Sequence, residues 1–115
     1  MNAIPPSDAA LASIAMCTYN GEKYLREQLD SLVAQDYPNL EIVIVDDCST
    51  DSTPQLLEEY AGQHPNFTIH QNEQNMGFRR NFEKALKLCS GEIISLCDQD
   101  DIWFPNKISA LGAES

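Results

Sequence analysis

Asp98, Asp100 and Asp101 put three carboxylates into four positions of the segment Ser95-Leu96-Cys97-Asp98-Gln99-Asp100-Asp101-Ile102-Trp103. The segment follows the apolar pair Ile93-Ile94, so the acids stand at the exit of a predicted strand, where side-chain directions are well defined. Carboxylates held this close repel one another and take up protons unless a cation or hydrogen-bond donors compensate. Hard oxygen ligands of this kind suit Mg²⁺ or Mn²⁺ rather than a soft metal. A second acidic exit, Asp46-Asp47, closes the apolar run Ile42-Val43-Ile44-Val45. Two acidic exits after two strongly apolar runs point to metal-assisted chemistry on a phosphate-bearing ligand. The bland alternative for each is a solvated acidic loop.

For both exits to serve one site, the elements must bring them to one rim. Ser13 to Cys17 reads as a short apolar strand closed by a turn at Tyr19-Asn20-Gly21. From Glu22 to Ala34, Leu25, Leu29, Leu32 and Val33 recur at helical spacing. Leu40 to Val45 is almost continuously apolar, as expected of a strand buried on both faces of a parallel sheet. Ser52-Thr53-Pro54 predicts a helix start with Thr53 as N-cap, and Leu56, Leu57 and Tyr60 form its buried side. Phe67 to His70 reads as a third strand. Phe78, Phe82, Ala85, Leu86 and Cys89 follow helical spacing, with Lys84 and Lys87 on the wet face. Glu92 to Cys97 is the fourth strand, and a further helix begins at Pro105. Four alternations of strand and helix predict a doubly wound α/β domain with a mainly parallel sheet. In such sheets ligands bind at the carboxyl ends of the strands, where Tyr19, Asp46-Asp47 and Asp98 to Asp101 all fall.

At 115 residues and 43% hydrophobic content the chain has the material for one core. Residues 1–12, with Pro5-Pro6, read as a flexible extension, and residues 13–115 as the domain. Eighteen acidic residues against seven basic ones give a net charge of −11, which argues against nucleic acid as a partner. The same charge repels a free diphosphate unless a bound cation inverts the local field. Cys17, Cys48, Cys89 and Cys97 lack the short paired spacing of a zinc site. Neither a signal peptide nor an apolar stretch long enough to span a membrane is visible, so the expected location is the cytoplasm, with peripheral attachment to the inner face of the membrane in a longer parent as an option.

Ser13-Ile14-Ala15-Met16-Cys17-Thr18-Tyr19-Asn20-Gly21 and Val45-Asp46-Asp47-Cys48-Ser49-Thr50-Asp51-Ser52-Thr53 are followed by Asn75-Met76-Gly77, Arg79-Arg80-Asn81, Gly91-Glu92 and Asp98-Gln99-Asp100-Asp101. In this order and at these separations the motifs resemble the glycosyltransferase family 2 type, whose fold is the GT-A, Rossmann-like nucleotide-sugar-binding fold. The resemblance implies a strand order of three, two, one, four. It implies that Thr18, Tyr19, Asn20, Asp47, Arg80 and Asp98 bind the nucleotide, with Tyr19 against the base and Asp47 accepting a base N–H. Asp46 has the alternative of holding its loop through backbone N–H groups, and a solvated helix face is the alternative for Arg79 and Arg80. Asp98-Gln99-Asp100 has the form of the family's Asp-x-Asp motif, which makes Asp100 the expected direct ligand of Mg²⁺ or Mn²⁺ and Asp98 a ribose or metal contact. The wording from Cys97 to Trp103 is similar to the rhamnosyltransferase subset, whose donors carry thymidine or uridine diphosphate, so a pyrimidine base is expected.

Members of that family are typically more than twice this long, and their later half carries the site for a glycan or lipid-linked acceptor and a catalytic carboxylate. The chain therefore resembles the donor-binding half of an inverting transferase, an expressed fragment or truncated product with no catalytic base of its own. An uncovered fourth strand would then favour a homo-oligomer. A nucleotide-binding module without chemistry is one alternative. A phosphorelay receiver is another, although receivers place their acidic pair after the first strand rather than the second. A sugar-phosphate nucleotidyltransferase would need a glycine-rich loop where Cys17-Thr18-Tyr19-Asn20-Gly21 has one glycine.

Overall fold

The computed structural model describes residues 10–37 and 39–97. They form β1 (Ala12–Thr18), α1 (Glu22–Val33), β2 (Leu40–Asp46), α2 (Thr53–Gln63), β3 (Phe67–Gln71), α3 (Phe78–Leu88) and β4 (Ile93–Cys97). The helix expected after Pro105 lies outside the described residues. All strand pairs are parallel, in the order β3-β2-β1-β4. This is the doubly wound sheet that the alternation of elements predicts.

Side chains alternate across a strand, and that alternation assigns each helix to a face. Ala12, Ile14 and Met16 of β1 and Ile42 and Ile44 of β2 pack with Leu25, Leu29 and Leu32 of α1 and with Leu57 and Tyr60 of α2. Ala15, Cys17 and Val45 face the other way and meet Phe82 and Ala85 of α3. Every residue of β1 is buried, because a strand lies on each side of it and helices cover both faces. Among the described residues no helix is long and apolar enough to cross a membrane.

Three local expectations need correction. Val33 is exposed, and the buried stripe of α1 is Leu25, Gln28, Leu29 and Leu32. At 100° per residue Val33 falls roughly 80° from Leu25, beyond the edge of that stripe. In α3 the buried face is turned toward Asn81, with Phe82 and Ala85, which leaves Leu86 exposed at its margin. Phe78 stands on the first turn of α3, 70% exposed, with its ring edge-on to Phe82 at 4.7 Å. Thr53 is not the cap of α2 but its first helical residue. Asp51 Oδ1 accepts the Thr53 N–H at 2.9 Å, and Thr53 Oγ1 accepts the Gly21 N–H at 3.0 Å. The hydroxyl thus ties the start of α2 to the start of α1.

At the amino end of the sheet, Glu41 accepts hydrogen bonds from the Ser13 hydroxyl and the Ser90 amide. The Gly91 amide donates to Ser13 Oγ at 2.8 Å, and the Glu92 amide to the Leu11 carbonyl at 2.8 Å. A Cβ at Gly91 would lie 2.7 Å from the Leu11 carbonyl oxygen and 2.8 Å from the Ser13 nitrogen, both backbone atoms. Gly91→Ala should therefore push β4 away from β1 and cost about 1–3 kcal/mol, as overpacking does. A lowered urea midpoint at unchanged slope is the expected reading; a wild-type midpoint would show that the entry to β4 can shift freely.

Candidate functional site

The carboxyl ends of β1 and β2 are in register, with Thr18 opposite Asp46. Alternation sends the consecutive acids Asp46 and Asp47 to opposite sides. Asp46 is fully buried and accepts from Thr18 Oγ1 at 2.6 Å, Ser49 Oγ at 2.6 Å and the Ser49 amide at 2.9 Å. It therefore holds the loop after β2, the alternative role anticipated for it. Asn20 completes the same clamp: its amide donates to Ser49 Oγ at 2.8 Å, and its Oδ1 accepts the Thr50 N–H at 2.7 Å. Asn20 and Cys48 have φ of +47° and +63°. Both turns are thus left-handed, which Asn tolerates better than Cys.

Asp47 turns toward the loop between β3 and α3. Its Oδ1 accepts the Met76 N–H at 2.7 Å and Asn72 Nδ2 at 3.0 Å, and its Oδ2 accepts the Gly77 N–H at 3.0 Å. Burial alone would push this carboxyl up. The Met76 amide, the Asn72 side chain and the Gly77 amide outweigh it and hold the group below the ordinary carboxylate value. Gly77 makes the geometry possible, because its φ of +87° is cheap only for glycine. Behind Asp47 lies a buried amide relay. Asn72 Nδ2 also donates to Asn81 Oδ1 at 2.6 Å, Asn81 Nδ2 donates to the Val45 carbonyl at 3.0 Å, and Lys84 Nζ donates to Asn72 Oδ1 at 2.8 Å.

A cavity of about 400 Å³ opens at this rim, lined by Thr18, Tyr19, Asp47, Asn75, Phe78 and Asn81 among others. Three of the expected nucleotide residues, Thr18, Tyr19 and Asp47, share it. Asn20 does not line it, since its side chain is engaged with Thr50. Arg80 lines an adjoining depression of about 630 Å³ together with Asn75, Met76 and Lys84. Asp98 and Asp100 lie outside the described residues, and among the described residues no cluster of three metal-ligating side chains occurs. Asn72, Asn81 and Phe78 were not anticipated at the site. The available signal was a polar residue, Asn81, falling within the apolar stripe of α3. Lys84, expected on the wet face, is half-buried against Asn72.

The family model described as glycosyl transferase family 2 matches residues 13–113. The chain belongs to that family. It is 42% identical over 101 residues to an uncharacterized protein of Mycobacterium tuberculosis, covering 84% of this chain and 29% of that one. The crystal structure of Staphylococcus aureus TarS 1-349 in complex with UDP superposes with a TM-score of 0.83 at 39% identity, covering 90% of this chain and 31% of that one. The mannosyltransferase PcManGT of Pyrobaculum calidifontis, in complex with GDP-Man and Mn²⁺, gives a TM-score of 0.80 at 32% identity, over 97% of this chain and 33% of that one. The chain thus spans between 29% and 33% of the length of these three relatives. Its sheet is the GT-A fold of the family's transferases.

A carboxyl held below its ordinary value contributes stability above that value, and the contribution disappears as pH falls through the folded-state value. For Asp47 the loss begins as pH drops toward about 3.8 and continues below it. Asp47→Asn leaves three donors sharing one carbonyl oxygen, and it should cost about 1–3 kcal/mol at pH 7. Because Asp51 is lowered too, by its bonds to Thr53 and the Glu22 amide against the opposing effect of burial, the variant should flatten the acid limb only in part. Urea unfolding at pH 7 and pH 3 checks this. A variant whose deficit is as large at pH 3 as at pH 7 would rule out the ionised Asp47 as the source.

Proposed function

We propose that the rim cavity is the donor site for a nucleoside diphosphate sugar in a longer family 2 glycosyltransferase. The observation that supports this best is that Tyr19 and the ionised Asp47 share one cavity at the carboxyl ends of β1 and β2. An aromatic face stacks a base at little entropic cost, and a buried carboxylate accepts an N–H from the base edge. Thr18 belongs to the same lining. Arg80 lines the adjoining depression, and the family resemblance gives it a part in holding the nucleotide.

Asp98 and Asp100 directly follow β4, which pairs with β1. In this reading they bind Mg²⁺ or Mn²⁺, with Asp100 as direct ligand, as the Mn²⁺ present with GDP-Man in the P. calidifontis enzyme supports. A net charge of −11 adds to the case, since a diphosphate needs a cation beside so many acids. When bound, the ion would neutralise the diphosphate and favour its departure. The transfer itself is inverting: an acceptor hydroxyl attacks the anomeric carbon opposite the diphosphate, and the bond to the diphosphate oxygen breaks with its electron pair. In this reading the hydroxyl proton passes to a carboxylate outside the residues that carry the donor site.

Titration calorimetry with UDP should give binding in Mn²⁺ and loss of most affinity in chelator. Asp100→Ala should remove the metal dependence, and Tyr19→Ala should weaken binding by about 1–3 kcal/mol, the usual worth of a base stacked on an aromatic ring. Equal affinity with and without chelator would sink the metal role.

The chain alone, given nucleotide sugars, Mn²⁺ and a range of glycan acceptors, should form no glycoside efficiently. General-base assistance typically contributes about 10²–10⁴-fold, and positioning of the acceptor contributes more. Slow donor hydrolysis with water as acceptor is the expected ceiling by mass spectrometry. Rapid glycoside formation would overturn the assignment of base and acceptor site to residues beyond the donor-binding half.

A further inference from the structure

The two solved relatives were captured with different bases, uracil in UDP and guanine in GDP-Man. The hydrogen bonds behind Asp47 bear on which of the two this chain takes.

Each amide in the relay has its orientation forced by the next partner. The Val45 carbonyl can only accept, so Asn81 must present Nδ2 to it, at 3.0 Å. Asn81 Oδ1 is then turned to Asn72, and only an N–H can meet it, at 2.6 Å. Asn72 must therefore offer its NH₂ group there, which leaves its own Oδ1 to Lys84, a group that can only donate, at 2.8 Å. The second hydrogen of Asn72 Nδ2 goes to Asp47 Oδ1 at 3.0 Å. Flipping either amide would set donor against donor at one end and acceptor against acceptor at the other.

The consequence falls on the acceptor capacity of Asp47. A carboxylate oxygen has about two lone-pair positions. On Oδ1 both are taken, by Met76 N–H and by Asn72 Nδ2, while among the described residues Oδ2 holds only the Gly77 N–H. Asn72 and Asn81 are 7% and 1% exposed, so solvent does not exchange with these bonds readily. One position, on Oδ2, remains for a ligand.

We propose that Asn72, locked by Asn81 and Lys84, limits Asp47 to a single ligand N–H and thereby selects an imide base, uracil or thymine, over guanine. The inference rests on the reading of Asp47 as the base contact. Uracil and thymine each present one ring N–H flanked by carbonyl oxygens, which a single acceptor position satisfies. Guanine presents two adjacent donors, the ring N–H and the exocyclic amine, and a carboxylate meets both only by using both oxygens. Cytosine and adenine place a ring-nitrogen lone pair beside their amino donor, against the same anion. Asn72 is a positioning residue in this scheme: it touches Asp47, not the base.

The test is a competition titration of the chain in Mn²⁺ with UDP, N3-methyl-UDP, GDP and CDP. UDP should bind about tenfold or more tighter than each of the others, the worth of one hydrogen bond to a charged group. Asn72→Ala frees the second position on Oδ1, so the UDP to GDP affinity ratio should shrink several-fold, a change that mere loss of stability would not produce. If Asn72→Ala fails to unfold cooperatively, the four-nucleotide panel on the unmodified chain still decides the base preference, and Asn72→Asp, which cannot donate to Asp47, takes the place of the alanine variant. GDP binding as tightly as UDP, with N3-methyl-UDP still weakened, would overturn the selection while leaving Asp47 as the base contact. N3-methyl-UDP binding as tightly as UDP would overturn both readings. A folded Asn72→Ala that keeps the original UDP to GDP ratio would remove Asn72 from the mechanism.

Discussion

Two consecutive carboxylates with almost no access to water, Asp46 and Asp47, constrain everything at the upper end of the sheet. A buried anion is tolerated only where donors surround it, and adjacent residues at a strand exit point to opposite sides. The donors for Asp46 come from Thr18 and Ser49, and those for Asp47 from Asn72, Met76 and Gly77. Segments after β2 and β3, together with the end of β1, are therefore shaped around these two groups. The cavity is the space left between segments so held, and its walls are set before any ligand arrives.

Charge at the site is arranged with some economy. Among the described residues no cationic side chain touches Asp47; Lys84 reaches it through the Asn72 amide. A direct ion pair would have occupied the carboxylate and neutralised it toward a ligand. Neutral amides satisfy the anion without cancelling its charge, so it keeps an acceptor's strength at the cavity wall.

The order of elements was legible because β1 and most of β2 are buried on both faces and read as nearly continuous apolar runs alternating with amphipathic helices. Their spatial order was not derivable from periodicity and came only with the family resemblance. Tyr19 and Asp47 were legible as strand-exit residues, since an exit fixes which rim they share, whereas Thr18 came with the family resemblance. The relay was not. Asn72 sits in the polar run Gln71-Asn72-Glu73-Gln74-Asn75, which reads as plain loop, and its partners are Asp47, Asn81 and Lys84, joined to it only by the fold. Asn81 and Gln28 show the same blind spot: a polar residue on a helix reads as solvated until tertiary contacts bury it. Val33 erred the other way, an apolar residue at the last position of a helix whose stripe had already turned from it.

The strand order also sets a timetable for the chain as it leaves the ribosome. Among the described strands β1 is made first and lies inside the sheet, yet one of its two neighbours, β4, is the last of them to be made. β1, β2 and β3 can pair, and α1 and α2 can cover one face, well before that. Until α3 and β4 follow, the nascent chain carries one unpaired edge on β1, whose residues are all buried in the folded domain, and Ala15, Cys17 and Val45 lie uncovered on the other face. Exposed edges and apolar faces of this kind are what recruit neighbouring chains. The interval between synthesis of β3 and of β4 is thus the period in which this domain is most open to misassembly, and the length of chain spent on α3 and its flanking loops determines how long it lasts.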